Sequence, residues 1–280
     1  MKNKILRLLL FFLFAQGTTL LHGQEMRLMT FNIRFNTEKD GENRWDKRKE
    51  NLCSLLCFYE IEICGMQEAL YGQIQDMKAL LPEYEYVGKG RDDGKEAGEF
   101  SPIFYQKSKV KLLESQTLWL SPTPESPSKG WDAALNRIVT YAKFQTKKGN
   151  KTFFVFNTHF DHIGETARRE SAKLLIDLVK KIAKDTPAII MGDFNSTPQD
   201  EPCQLLHASL INTLSVSETP HFGPKDTFNG FENKERENSE IDHIFLNTKK
   251  IKVKKHATIT QTWAGRFASD HHPVMVVIQL

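Results

Sequence analysis

Apolar residues recur along the chain at two spacings. Alternation or short unbroken apolar runs predict strands over 27–33, 62–66, 101–105, 110–120, 137–144, 152–158, 188–191, 241–246, 257–262 and 274–280. Helical spacing is scarcer. Leu52, Leu55, Leu56 and Tyr59 mark one amphipathic helix, and Leu175, Leu178, Val179 and Ile182 mark another, each set at i, i+3, i+4, i+7. Strands that often follow one another directly, with only a handful of helices, predict an α/β protein of two packed sheets covered on their outer faces by helices. A purely parallel, doubly wound sheet would need more helices than this pattern supplies.

Residues 1–23 stand apart. Lys2, Lys4 and Arg7 precede an apolar stretch from Leu8 to Ala15, and small Gly23 lies just before Gln24, the layout of a secretory signal peptide. Gln16, Gly17, Thr18 and Thr19 interrupt the run before it reaches the roughly 18 to 20 residues of a membrane span. The expectation is an exported protein, periplasmic or extracellular, with no stable membrane insertion after cleavage. The remainder, 24–280, is roughly 257 residues, enough for one large domain with a well-buried core, and no linker or repeat divides it. It is expected to act as a monomer.

The chain holds 38 basic and 35 acidic residues, and three of the basic ones fall in the excluded segment, so the rest is close to neutral. A protein that grips long nucleic acid through many phosphates usually shows a basic excess, so nucleic acid is a weakly supported partner. The run from Lys249 to Lys255 alternates as a half-exposed strand edge would. Cys53, Cys57, Cys64 and Cys203 lack CxxC spacing and close histidine partners, which argues against structural zinc and for buried free thiols. The glycine-rich stretch from Gly88 to Gly98 lacks a GK[ST] ending and leads into a strand, so it is not a nucleotide P-loop.

Polar clusters sit at the ends of predicted strands: Gln67-Glu68, Asn157-Thr158-His159, Gly192-Asp193-Phe194-Asn195 and Ser269-Asp270-His271. A single Asp at such a place more often caps a turn. Together, Asn32, Glu68, Asp193, Asn195 and Asp270 offer the hard oxygen donors that magnesium takes. Phosphoester hydrolysis also needs a base for water and an acid for the leaving oxygen, for which His159 and His271 are candidates. Asp242 and Glu99 are available to orient them. His162, His243 and His272 read as structural or rim neighbours.

The succession Met29-Thr-Phe-Asn32-Ile-Arg34, Gln67-Glu68, Gly98-Glu99-Phe-Ser-Pro-Ile-Phe-Tyr105, Asn157-Thr-His159, Gly192-Asp193-Phe-Asn195, Ile241-Asp242-His and Ser269-Asp270-His271 resembles the endonuclease/exonuclease/phosphatase family, in order over the whole chain after residue 23. The resemblance implies a four-layer α/β/β/α sandwich of two mixed sheets, with the site at one edge of both. It implies Glu68 as principal ligand of Mg2+ or Mn2+, with Asn32 and Asp270 nearby. Asp193 would orient or deprotonate water, Asn195 would hold the water or a phosphate oxygen, and His271, braced by Asp242, would contact the phosphate. His159, braced by Glu99, would protonate the leaving group, and Tyr105 is a weaker phosphate contact.

After His159 the chain continues Phe160-Asp161-His162 and then Ala167-Arg168-Arg169 into a helix, as in a group of exported bacterial proteins of the family. Trp131, Arg137, Arg168 and Phe228 are candidate rim residues, the aromatics for stacking and Arg137 for a second phosphate. Lys89, Arg91 and Lys95 extend that basic rim. The expected substrate is a phosphodiester, nuclease-like or small. A phosphomonoester of an inositol or sugar is the rival within the enzyme class, and a catalytically silent binding protein the rival outside it.

Overall fold

The computed structural model describes residues 25–280 apart from Glu235, so the expected signal peptide over 1–23 lies outside the described residues. One six-stranded sheet takes the order β11 (Lys252–Thr258), β14 (Val274–Gln279), β1 (Glu25–Asn32), β2 (Ile63–Gln67), β4 (Ile103–Gln106), β3 (Tyr84–Val87). The other runs β5 (Val110–Trp119), β6 (Ile138–Thr146), β7 (Thr152–His159), β8 (Ala188–Asp193), β10 (Asp242–Leu246), β9 (Ile211–Asn212). A short hairpin, β12 (Thr262–Trp263) with β13 (Arg266–Phe267), stands outside both. Each large sheet has one parallel pair, β1 with β2 and β7 with β8, and is otherwise antiparallel.

Apolar side chains sort into three clusters, and these define the layers. Between the sheets, Leu28, Ile63 and Val276 meet Val155, Ile189 and Met191. The outer face of the first sheet buries Phe31 and Met66 under α1 (Trp45–Phe58) and α2 (Tyr71–Leu80), through Leu52, Leu56, Ile74 and Met77. The second sheet turns Phe154, Phe156 and Ile190 toward α3 (Glu165–Ala183) and α4 (Glu201–Ser209). Strand residues alternate between two buried faces, so both faces of each sheet are apolar and the four-layer α/β/β/α sandwich follows.

The longest helix, α3, shows how local sequence sets an element. Leu175, Ile176, Leu178 and Val179 form its buried stripe, Glu165 lies in the first turn, and Lys180 and Lys181 lie in the last, matching the helix dipole. Its free N–H groups at Thr166 and Ala167 are met from a distance by the Asp132 carboxylate at 3.2 and 2.6 Å. Cys53, Cys64 and Cys203 are buried free thiols, as expected, whereas Cys57 is exposed because it falls on the solvent face of α1. Among the described residues no helix is long and apolar enough to cross a membrane.

Candidate active site

Asn32 closes β1, Gln67 closes β2 with Glu68 next, His159 closes β7 and Asp193 closes β8. Asp242 opens β10, and Asp270 and His271 lie just before β14. Parallel register sets Asn32 beside Gln67 and His159 beside Asp193, while antiparallel register sets Asp242 beside Asp193. The C-terminal ends of four strands and the N-terminal ends of two antiparallel neighbours therefore share one edge of the sandwich. There the backbone turns sharply: Arg34, Glu68 and Asn195 have φ of 56°, 61° and 46°. Such left-handed conformations cost about 1–3 kcal/mol each and mark positions where side-chain placement has won over local comfort.

Asp193 is the hub. Its Oδ2 accepts the Asn32 amide N–H at 2.9 Å and lies 3.5 Å from His159 Nε2 and 3.8 Å from His271 Nε2. Oδ1 accepts the Asn195 backbone N–H at 2.9 Å. The Asn32 amide also donates to Glu68 Oε1 at 3.1 Å, which ties the two sheets' acids together. Behind His271, Nδ1 donates to Asp242 Oδ2 at 2.8 Å. Asn195 Nδ2 lies 3.1 Å from His159 Nε2, so that ring nitrogen is the acceptor.

Burial governs the charges. It pushes the Asp193 carboxyl up to about 7, with Asp242 behind it adding to the effect. His271 is also buried, which lowers its affinity for a proton, but Asp242, Asp193 and Asp270 outweigh this and hold it up to about 10. His159 goes the other way: burial, then the Arg137, Arg91 and His271 charges, depress it well below the usual imidazole range, so it is neutral.

These groups line a cleft of about 500 Å3. Phe35, Leu135, Phe228 and Ile241 supply its apolar walls, and Arg34 and Arg137 its two guanidinium groups. Both arginines are already engaged. Arg34 makes a two-pronged contact with Asp40 at 3.1 and 3.0 Å, and Arg137 donates to Asp161 at 3.2 Å and to His162 Nδ1 at 2.8 Å.

Two places gather acidic groups. Asp193, Asp242 and His271 bring ligand atoms within 4.8 Å of one another, but His271 Nδ1 is already bonded to Asp242 and Asp193 Oδ2 to the Asn32 amide. Glu68 and Asp270 are the better fit to a hard divalent ion. Both border the cleft, and the Arg34 guanidinium sits 3.9 Å from one and 3.8 Å from the other, beyond hydrogen-bond reach. A cation already occupies the region between them without direct bonds, and the oxygens are of the class magnesium prefers.

Several expected roles change with these positions. Asn32 is expected as a metal ligand, yet its amide nitrogen faces Glu68 and Asp193 and its oxygen accepts the Arg34 backbone N–H at 3.0 Å, so it orients acids. Glu99 is expected to brace His159, but it stands 4.0 Å from Nδ1 and binds Arg91 through both oxygens at 2.6 and 2.9 Å. The same bond draws Arg91 inward, away from any basic rim. Tyr105 is outside the cleft: it packs against Phe144 in the inter-sheet core, centroids 5.1 Å apart. Trp131 and Arg168 are not cleft-lining either, since Asp132 caps α3 and Arg168 donates to the Asp161 carbonyl at 3.0 Å. Arg137 and Phe228 do line it, as does His162, read from sequence as a structural or rim neighbour, and as do Arg34, Phe35, Leu135 and Ile241, to which sequence reasoning gave no site role. For Arg34 the signal was its place two residues after Asn32.

The Endonuclease/Exonuclease/phosphatase family model matches residues 29–271. A solved endonuclease/exonuclease/phosphatase from Bacteroides vulgatus is 38% identical, with TM-score 0.88 over 92% of this chain and 99% of that one. The mannosyl-6-phosphatase of Bacteroides thetaiotaomicron is 36% identical, with TM-score 0.87 over 91% of this chain and all, 100%, of that one. An uncharacterized protein of Acanthamoeba polyphaga mimivirus is 29% identical over 238 residues, 79% of this chain and 87% of its own length.

Proposed function

The chain belongs to the endonuclease/exonuclease/phosphatase family, whose members hydrolyse phosphoesters, and from that premise we propose a metal-dependent phosphomonoesterase acting on a sugar phosphate. The observation that carries this reading is the cleft itself: bounded at about 500 Å3, with both arginines already neutralised by carboxylates. That volume suits a small ligand. A polyanion would need a track of unpaired cations, and none lines this cleft among the described residues. Similarity to the Bacteroides thetaiotaomicron mannosyl-6-phosphatase supports a monoester over the phosphodiester expected from sequence.

Glu68 and Asp270 would hold Mg2+ or Mn2+, which when bound neutralises the non-bridging oxygens of the phosphate. Asp193, fixed by Asn32 and the Asn195 N–H, takes a proton as the water oxygen bonds to phosphorus, and a carboxyl poised about 7 suits that task near neutrality. His271 is the proton-rich group. Backed by Asp242, it donates to the phosphate and gives its proton to the sugar oxygen as the P–O bond breaks. His159 is neutral and its Nε2 accepts the Asn195 amide, so we assign it to holding Asn195 beside the attacking water and Asp193, in place of the leaving-group role expected from sequence. Glu68, Asp270, Asp193, His159 and His271 all line the one cleft, which disfavours a silent binding protein.

A substrate panel tests the reading. Release of phosphate from hexose 6-phosphates should exceed turnover of DNA, bis-aryl phosphate and inositol phosphates in kcat/KM by at least about tenfold. Faster cleavage of a diester would remove it. Partly exposed Phe228, edge-on to His271 with centroids 5.1 Å apart, favours the diester as second reading because it offers a stacking face. We further propose that the protein acts as a monomer and is exported after cleavage before Gln24, which N-terminal sequencing of the secreted form would check.

A further inference from the structure

A second cavity, of about 490 Å3, adjoins the catalytic cleft across Phe228, the residue that lines both. Consecutive side chains part at this wall. His271 faces the cleft and His272 the neighbouring cavity, while Phe228 forms a bridge with His271. The Phe228 ring is partly exposed, with the Arg236 guanidinium 5.1 Å from its centroid. A ligand crossing that ring edge would span two spaces of nearly equal size, each within the roughly 300–1,000 Å3 of small-molecule sites.

The lining identifies the ligand class. Lys234 and Arg236 both pair with Glu232, at 2.5 and 2.9 Å, and Asp226 adds another carboxylate. Charge is thus balanced, and a second phosphate would find no free cation there among the described residues. Carboxylates and the Thr260 and Thr262 hydroxyls can instead accept from and donate to hydroxyl groups. Phe228 and buried Phe267 supply the apolar faces against which a sugar ring packs. We infer that this cavity is a second sugar subsite, holding the neutral glycosyl residue to which the phosphorylated sugar is joined. The preferred substrate is then the phosphorylated end of a glycan, an inference that rests on the sugar-phosphatase reading above.

The test compares a hexose 6-phosphate with a disaccharide bearing the same phosphorylated hexose, in the wild type and in Thr260→Trp, which fills the cavity from an exposed position. The wild type should favour the disaccharide in kcat/KM by about tenfold or more, and Thr260→Trp should reduce that preference to about twofold with the monosaccharide rate unchanged. In parallel, the unphosphorylated disaccharide should shift the amide resonances of Thr262 and Phe267 and leave those of His159 and Asp193 in place. Equal kcat/KM for both substrates, or a preference that survives Thr260→Trp, overturns the subsite while leaving the phosphomonoesterase reading standing. If neither sugar phosphate is hydrolysed that reading falls, and the disaccharide titration alone then decides: shifts at Thr262 and Phe267 support the subsite, and none removes it.

Discussion

Asp193 is asked to do opposing things, to lie buried among apolar strands and to carry charge when water attacks. Asn32 and Asn195 supply the hydrogen bonds that make this possible, and the carboxylate lies 3.5 and 3.8 Å from the two imidazoles. Replacing Asp193 or His271 by Ala should leave less than about a tenth of wild-type kcat/KM with an unchanged circular dichroism spectrum. The pH profile should carry the same pair. Activity should rise as Asp193 ionises about 7 and fall as His271 loses its proton about 10. Asp242→Asn removes a carboxylate that holds the His271 proton, so the alkaline limb should move toward the free imidazole value of 6.5. Stability obeys the same sign. Because folding raises the His271 value above 6.5, that group's contribution is full below 6.5 and lost as pH climbs through about 10. Melting temperatures measured across that window should fall less in Asp242→Asn than in the wild type. Most of these residue types were visible from motif order. What chain order hides is which atom of a side chain faces which neighbour: Asn32 donates where a ligand was expected, and Arg91 takes the bond from Glu99 expected for His159.

At the scale of elements, the site depends on two sheets staying in register. Asn157 on β7 reaches across to the first sheet, donating to the Met66 and Pro102 carbonyls at 2.7 and 2.9 Å and accepting from Gln67 at 2.6 Å. Asn157→Leu should take one partner from each of these buried groups, cost about 1–3 kcal/mol by denaturant titration, and lower kcat because β2 carries Glu68 at its end. Gly192 makes the other joint. A Cβ there would lie 2.2 Å from the Thr158 carbonyl, so the close approach of β7 and β8 that sets His159 beside Asp193 requires glycine. The central strands were legible because two-sided burial leaves short apolar runs, as in β2 and β8, which are buried at every position. Shorter elements were not. In α2 only Gln73, Ile74 and Met77 are buried, too few for a helical period to emerge, and β3 is four residues at a sheet edge. The strand expected over 257–262 begins earlier, at Lys252, because a bulge between Val253 and Lys255 breaks the alternation. The lysine run before it does mark a sheet edge.

Over the whole molecule, near-neutral net charge conceals a local excess of acid. Glu68, Glu99, Asp193 and Asp270 face one cleft, and Arg34 and Arg137 are shared with Asp40 and Asp161 outside the central group. The sandwich holds these carboxylates together, whereas the unfolded chain lets them separate, so a divalent ion that binds only the folded form must stabilise it. At a concentration near 100 times its Kd the gain is about 2.7 kcal/mol, which for a domain of this size corresponds to several degrees in melting temperature. Mg2+ and Mn2+ should each produce such a rise, and exhaustive EDTA treatment should remove both the rise and turnover. Glu68→Gln and Asp270→Asn should abolish the metal-dependent rise while leaving the metal-free melting temperature equal or higher, since each relieves repulsion in the cleft. Asp242→Asn should keep the rise despite its altered pH profile, because that carboxylate belongs to His271. If instead the double substitution at Glu68 and Asp270 retained the full metal response and Asp242→Asn lost it, the ion would sit with Asp193, Asp242 and His271, and His271 would be a ligand where a proton donor is required.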